Sequence, residues 1–281
     1  MVRILIHFDT DPLPSTFDRV VAVDAGVEHL FSYGGITPEN VEPLVHGAMF
    51  TRKELKQTAI FVGGSRVEAA EAVLQKVLST FFGPMRVAVM LDANGCNTTS
   101  AAAVRLAAQH VALQQSTAWV LGGTGPVGQR VAELLLREGA RVWLSSRERS
   151  RAEATCALLR QRIPQADLHP WVWPHENLPP SPIHVVVSAG AAGAALLTRA
   201  QLWGIAGLHV ALDLNAVPPP GLEGVDPRDK AQIRDGVVCY GALGVGGLKM
   251  KIHKAAIQQL FTDNSLVLET QALYDLACGL A

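Results

Sequence analysis

The chain has 281 residues, 49% of them hydrophobic and 17% charged, and its 24 Lys and Arg against 25 Asp and Glu leave a formal net charge of −1. That balance gives neither the basic footprint of a nucleic-acid binder nor the charge excess of a disordered chain, and the length suits one large or two modest domains. Cys96, Cys156, Cys239 and Cys278 form no C-x-x-C pair and stand at no zinc-finger spacing, so neither a disulfide framework nor a metal site is expected.

The opening run MVRILIHFDT meets Asp9 and Asp11 too soon for a signal peptide, and no apolar stretch reaches the roughly 20 residues of a membrane span. A soluble cytoplasmic protein is expected, with a small-molecule partner and neither a nucleic-acid nor a membrane partner. Strand-like and helix-like segments then alternate: RILIHFD, a helix from Pro14 to Gly26, EHLFSY, a helix from Thr37 to Phe50, TAIFVGG, a helix from Arg66 to Thr80, and MRVAVMLD. Ser15 ahead of Asp18, and Thr37-Pro38 ahead of Glu39, supply helix-start chemistry. The alanine-rich run from Ala101 to Leu113 reads as a helix packed closely on a sheet and as an arm between two lobes.

A second series, TAWVLGG, RVWLSS, HVVVSAG, LHVALDLN and VVCYGALG, has the outline of a doubly wound nucleotide-binding unit. Between its members, the Pro- and Trp-rich tract from Pro164 to Pro182 contains one strand with irregular flanks. Helices from Val245 to Phe261 and from Ser265 to Gly279 close the chain, the last predicted to pack back on the first lobe. The expected fold class is therefore α/β in two lobes. Residues 1–112, completed by 265–281, form an α/β domain, and residues 113–264 form a Rossmann-type doubly wound parallel-sheet domain.

Within VLGGTGPVGQRVAELLLREGARVWL the pattern G-x-G-x-x-G falls on Gly123, Gly125 and Gly128, after an apolar strand and before an amphipathic helix. In this reading Gly123 permits the tight turn, Gly125 admits a pyrophosphate against the backbone, and Gly128 brings helix and strand together. Pro126 suits the first helical turn, where its missing N–H costs nothing, and Thr124 and Val127 complete the cofactor-binding turn. About twenty residues later, where a unit that prefers NAD places an Asp or Glu on the adenosine ribose, the strand ends in Ser145, Ser146 and Arg147. Arg149 and Arg151 follow in the first helical turn, where the helix dipole disfavours cations. Hydroxyl donors and positive charge suit a ribose 2′-phosphate, so the expected cofactor is NADP, held by Ser146 and Arg147 with Arg149 or Arg151 as further candidates.

Three loops, HFDTDPLPSTFD, LDANGCNTTS and LNAVPPPGLEGVD, stand at the carboxyl ends of predicted strands, and GALGVGGLKMKIHKAA joins them. Together with TAIFVGG, FFGPMRVAVMLD and GTGPVG, these strings resemble, almost end to end, the NADP-dependent methylene-tetrahydromethanopterin dehydrogenases of methylotrophic bacteria. Those enzymes are related in fold to methylene-tetrahydrofolate dehydrogenases. The resemblance implies hydride transfer from methylene-tetrahydromethanopterin to NADP in one-carbon metabolism, a pterin-binding first lobe, and a homotrimer. It also implies a role for Phe17 in lining the pterin and imidazolidine pocket, for Thr99 near the reacting centre, and for Lys249 and His253 in the active site.

Each of those residues also has a plainer reading. Phe17 would serve as a core residue, Asn97, Thr98 or Thr99 would cap a helix, and Lys249 would sit on an exposed face, with His253 four residues on along the same face. The chemistry asks mainly for positioning, because hydride loss from an N–CH2–N bridge leaves a delocalised formamidinium cation and requires no general base. Two alternatives stay open: a tetrahydrofolate substrate, with or without cyclohydrolase activity, and an NADPH-binding sensor without turnover.

Overall fold

The computed structural model describes residues 2–180 and 182–280. Its chain begins with β1 (Ile4–Asp9), α1 (Thr16–Asp24), β2 (His29–Tyr33), α2 (Glu42–Phe50), β3 (Thr58–Gly63), α3 (Val67–Thr80), β4 (Ala88–Leu91) and α4 (Cys96–Ala108). It continues through β5 (Thr117–Leu121), α5 (Pro126–Arg137), β6 (Arg141–Ser146), α6 (Arg149–Arg162), β7 (Leu168–Val172) and β8 (Val185–Ser188). Then come α7 (Arg199–Trp203), β9 (Val210–Asp213), β10 (Lys230–Arg234), β11 (Val237–Tyr240) and α8 (Ala242–Gln259), and finally β12 (Val267–Leu268) and α9 (Thr270–Gly279).

Two compact units result, Met1–Thr98 with Met250–Ala281, and Thr99–Lys249. The chain leaves the first unit inside α4 and returns to it inside α8. Sequence placed these divisions at 112/113 and 264/265. Both real crossings fall within a continuous helix, where no turn or change of composition marks them.

The first unit is built on a five-stranded parallel sheet in the order β12-β4-β3-β1-β2. β3 and β4 are buried along their whole length, which explains their unbroken apolar runs. The segment from Ser265, expected to be all helix, instead contributes β12 before α9 begins, with Val267 opposite Val89 and Leu268 opposite Met90.

Ser15 caps α1 as expected, its Oγ accepting from the Asp18 N–H at 3.2 Å. Thr37 does not start α2. Asn40 Oδ1 accepts from the Thr37 N–H at 2.8 Å and closes a turn, and the helix waits for Glu42-Pro43. At α4 the helix begins at Cys96 rather than Ala101, because Asp92 Oδ1 accepts from the N–H groups of Asn97 and Thr98 at 2.9 and 3.0 Å. α8 likewise starts at Ala242, three residues before Val245.

The second unit carries a seven-stranded sheet in the order β10-β11-β9-β8-β5-β6-β7, parallel except for the β10–β11 hairpin. Leaving the hairpin edge β10 aside, this is the doubly wound order, reversing between β5 and β8. Its core joins Trp119 on β5 to Trp173 in a T-shaped contact with ring centroids 5.2 Å apart. The Pro- and Trp-rich tract supplies β7, the one strand expected of it. β10 escaped the sequence reading because KAQIR is exposed along most of its length. Its signal was the Asp235-Gly236 turn, whose φ values of 48° and 80° suit a two-residue hairpin.

Candidate active site

In the second unit the glycine run leaves β5 at the point where the strand order reverses. Gly122, φ 67°, makes the sharp turn; a Cβ there would lie 2.7 Å from Gly190. The turn thus belongs to Gly122 and not to Gly123, whose own lack of a side chain leaves room for Leu144, 2.6 Å from where a Cβ would stand. The Gly123 N–H donates to the Ser145 carbonyl at 2.9 Å, and the Gly125 N–H to the Gly122 carbonyl at 3.1 Å, which fixes the loop against β6. At Gly128 a Cβ would come within 2.5 Å of the Gly122 carbonyl oxygen, so this glycine allows α5 to seat against the turn. Gly125 meets nothing closer than 3.5 Å and presents open backbone. Pro126 is the first residue of α5, with Gly125 as its N-cap.

A cavity of about 450 Å³ opens beside this turn. Gly122, Thr124 and Gly125 form one wall, and Ser145, Ser146 and Arg147 at the end of β6 form a second. Ala189, Gly190 and Ala191, directly after β8, form a third, and Trp173, Pro174 and Leu196 form an apolar end. The remaining residues of the predicted turn, Gly123, Pro126, Val127 and Gly128, stand behind the wall and shape it.

Two findings refine the ribose-end reading. Arg151 lines the cavity, whereas Arg149 is ion-paired with Glu176 and lies 3.8 Å from Glu153, and lines a separate surface hollow with Trp171 and His175. Glu148, which the sequence reading did not weigh, also lines the cavity. Both serines are buried in the cavity wall, and Ser145 Oγ already accepts from Trp119 Nε1–H at 2.5 Å. The small-residue loop SAGAAGAA after β8 was the other contribution missed; its signal was a run of Gly and Ala at a strand's carboxyl end.

The first unit brings Phe17 and His253 together. Phe17 on α1 is 49% exposed, which rules out its reading as a core residue, and its ring centroid lies 6.3 Å from that of the fully buried His253 on α8. His253 Nδ1 is 3.9 Å from Asp92 Oδ2, and its ring packs 5.6 Å from Phe61 of β3. Asp92 is held by the start of α4, its Oδ2 accepting from Thr98 Oγ1–H at 2.6 Å. That hydroxyl and the Asn97 and Thr98 N–H groups supply the capping contacts, so Thr99 is not spent on them.

Phe61 also touches His7 of β1, ring centroids 5.2 Å apart. His7 is buried with its Nε2 3.5 Å from Asp9 Oδ2, and burial pushes its pKa down to about 4, against the pull of Asp9 and with help from Arg19 and His253. Asp9 in turn accepts from the N–H groups of Asp11 and Ser15, both at 2.8 Å. His7, Asp9, Phe61 and Asp92 were missed from sequence as site neighbours; only the histidine inside an otherwise apolar strand hinted at them. Thr99 and Lys249, both half-buried, are the first and last residues of the second unit, and Lys249 precedes His253 by one turn of α8.

Comparison with known proteins agrees with both halves. A family model described as methylene-tetrahydromethanopterin dehydrogenase, N-terminal, matches residues 16–94. Among solved structures, the chain resembles ligand-free 5-ketofructose reductase of a Gluconobacter species, with TM-score 0.55 and 15% identity over 100% of this chain and 99% of that one. It also resembles quinate dehydrogenase from Corynebacterium glutamicum in complex with NAD, with TM-score 0.51 and 12% identity over 98% of each chain. At such identities the likeness is one of fold. Bifunctional protein MdtA of Methylorubrum extorquens is 41% identical over 287 residues, 99% of each chain. The NAD(P)-dependent methylenetetrahydromethanopterin dehydrogenase of the same organism is 30% identical over 297 residues, spanning all of both. With relatives of that identity matched from end to end, and a family model on its first unit, the chain belongs to the methylene-tetrahydromethanopterin dehydrogenase family.

Proposed function

We propose that this chain is an oxidoreductase that moves a hydride from methylene-tetrahydromethanopterin to NADP and so forms methenyl-tetrahydromethanopterin. The observation that carries the reading is the end-to-end relationship to an enzyme named for that reaction. The cavity beside the glycine turn supports the cofactor assignment. Gly125, the N-cap of α5, offers backbone that a pyrophosphate can approach at the start of that helix, and Ser146, Arg147 and Arg151 bring hydroxyl and positive charge to the ribose end. NADP when bound supplies the hydride acceptor. In this proposal Gly123, Thr124, Pro126, Val127 and Gly128 keep the turn in shape, and Arg147 selects for the 2′-phosphate while Glu148 limits that preference.

On the substrate side, Phe17 offers a half-exposed aromatic face to a pterin, and His253 backs it from the buried side. Thr99 and Lys249 orient the carrier by hydrogen bonding. A lysine ammonium facing the cationic product opposes its formation, so Lys249 is assigned to orientation and neither it nor His253 to proton transfer. The proposal extends to a cytoplasmic homotrimer working in one-carbon metabolism from formaldehyde, a part that rests on the family resemblance; among the described residues no helix is long and apolar enough to cross a membrane.

A steady-state assay of the purified chain with methylene-tetrahydromethanopterin and methylene-tetrahydrofolate, each against NADP and NAD, tests the reading. Fastest NADP reduction with the methanopterin carrier is expected. Faster turnover of the folate carrier would transfer the assignment to that substrate, and NADPH binding without turnover of either would favour a sensor. Light scattering checks the trimer.

A further inference from the structure

The buried histidine of β1 has no part in the reaction as described, yet its surroundings single it out. Its ring is anchored at Nδ1, 3.4 Å from Ser32 Oγ on β2, while Nε2 is buried without a hydrogen bond and lies 3.5 Å from Asp9 Oδ2. Phe61 is then held between two imidazoles, 5.2 Å from His7 and 5.6 Å from His253, and His253 faces Phe17 at 6.3 Å. The four rings form a continuous column from the middle of the sheet to the half-exposed aromatic proposed to meet the pterin. Gly63 leaves a notch at its side: a Cβ there would lie 3.0 Å from His7 Nε2, 3.3 Å from the Phe61 ring and 3.7 Å from Asp18 Oδ2. Charged or titratable groups therefore face His7 from β1 (Asp9), from α1 (Asp18 and Arg19) and from α8 (His253).

We infer that His7 is a positioning residue for the substrate side of the site, acting through Phe61 on His253 and Phe17. A phenylalanine at position 7 would fill the space without the hydrogen bond to Ser32, and its plane would no longer be set by that contact. Close packing passes such a change along, because the buried rings of His7, Phe61 and His253 have few alternative arrangements at interior density. His7 reaches the substrate only through other side chains, so its loss changes turnover and leaves the nucleotide turn, which is built within the second unit, intact.

The inference rests on the dehydrogenase reading for its kinetic part only, and the experiment separates the two. Full-length protein labelled at histidine nitrogens is prepared as wild type, His7→Phe and Phe61→Leu, with the His253 resonances assigned by loss in His253→Gln. At pH 7.5 the His253 ring resonances are expected to move in both variants, with kcat for the methylene carrier down about tenfold and the dissociation constant for NADPH within about twofold of wild type. Unmoved His253 resonances overturn the inference, whatever happens to melting temperature, and so does unchanged kcat alongside moved resonances. If wild type itself turns over neither carrier, the dehydrogenase reading fails and the resonances alone decide the inference. Phe61→Leu keeps the test open should His7→Phe not fold.

Discussion

The two units build their sites from different materials. In the second unit the cofactor cavity is largely backbone: a turn at Gly122, open chain at Gly125, and a loop of Gly and Ala after β8, with charge confined to Arg147, Glu148 and Arg151 at one end. In the first unit, buried side chains do the work. His7, Asp9, Phe61, Asp92 and His253 come from β1, β3, the end of β4 and α8, and every one is at most 2% exposed. A backbone site tolerates change in what surrounds it and fails when a glycine gains a side chain; a site of buried polar side chains fails when one partner is lost or changes charge.

The largest effect that would test this contrast is expected at Gly128. Its Cβ would fall 2.5 Å from a backbone oxygen, which cannot swing aside as a side-chain end can. Gly128→Val should lower unfolding free energy in urea by more than about 3 kcal/mol and abolish NADPH binding by fluorescence titration, since overpacking here displaces the turn itself. Retained binding would mean that the turn is not the cofactor cradle.

A comparable effect is expected in the first unit, from pH rather than volume. The folded pKa of His7, about 4, lies below the ordinary 6.5, so between these values the unfolded chain binds the proton and the folded chain does not. Stability linked to His7 is fully present above pH 6.5 and is lost as pH falls through 4, a difference on the order of 3 kcal/mol. Urea midpoints measured from pH 7.5 to 4.5 should fall in wild type and fall less steeply in His7→Phe. Equal slopes would remove His7 as the buried acid-sensitive group.

How much was legible beforehand follows from the same difference. The doubly wound unit could be read because G-x-G-x-x-G, an apolar strand and an amphipathic helix lie within one short run, and Gly123 and Gly128 each stand where a side chain would collide with its neighbours. Even there the register slipped by one, since the positive φ falls on Gly122, which a pattern starting at Gly123 passes over. The ring column offers no such spacing: His7, Phe61 and His253 are brought together by sheet order and helix packing, which no local pattern encodes. Phe17, Thr99, Lys249 and His253 could be named at all only because the surrounding strings resemble a family. The hairpin strand β10 and the short β12 were missed for a third reason, that their partners make them strands while β10 buries almost nothing and β12 is only two residues long.

Within the cofactor cavity the contrast narrows to single side chains. Arg147→Ala should weaken NADP binding about ten- to hundredfold, the worth of one or two charged hydrogen bonds, with far less effect on NAD. Glu148→Gln should act oppositely and more weakly, raising the preference for NADP, because it removes a carboxylate from a cavity offered to a phosphate. Calorimetric titration of both variants with both nucleotides checks the pair, and equal losses for NADP and NAD in Arg147→Ala would remove the phosphate assignment.

The smallest effect is expected from Arg149, and it is informative for that reason. By sequence alone Arg147, Arg149 and Arg151 are three similar cations at the start of one helix. In the structure Arg149 turns to Glu176 and Glu153, about half-exposed, and lines the other hollow. Exposed ion pairs of this kind contribute about 0–1 kcal/mol, so Arg149→Ala should change stability by no more than that and leave the NADP to NAD ratio within about twofold. Arg151→Ala, by contrast, should shift that ratio in the same direction as Arg147→Ala, because its side chain reaches the cavity from one turn further along α6. If Arg149 instead proved the stronger determinant, the ion pair with Glu176 would have to open when the cofactor binds, and the cavity wall would be a rearranging one, unlike the preset turn opposite it.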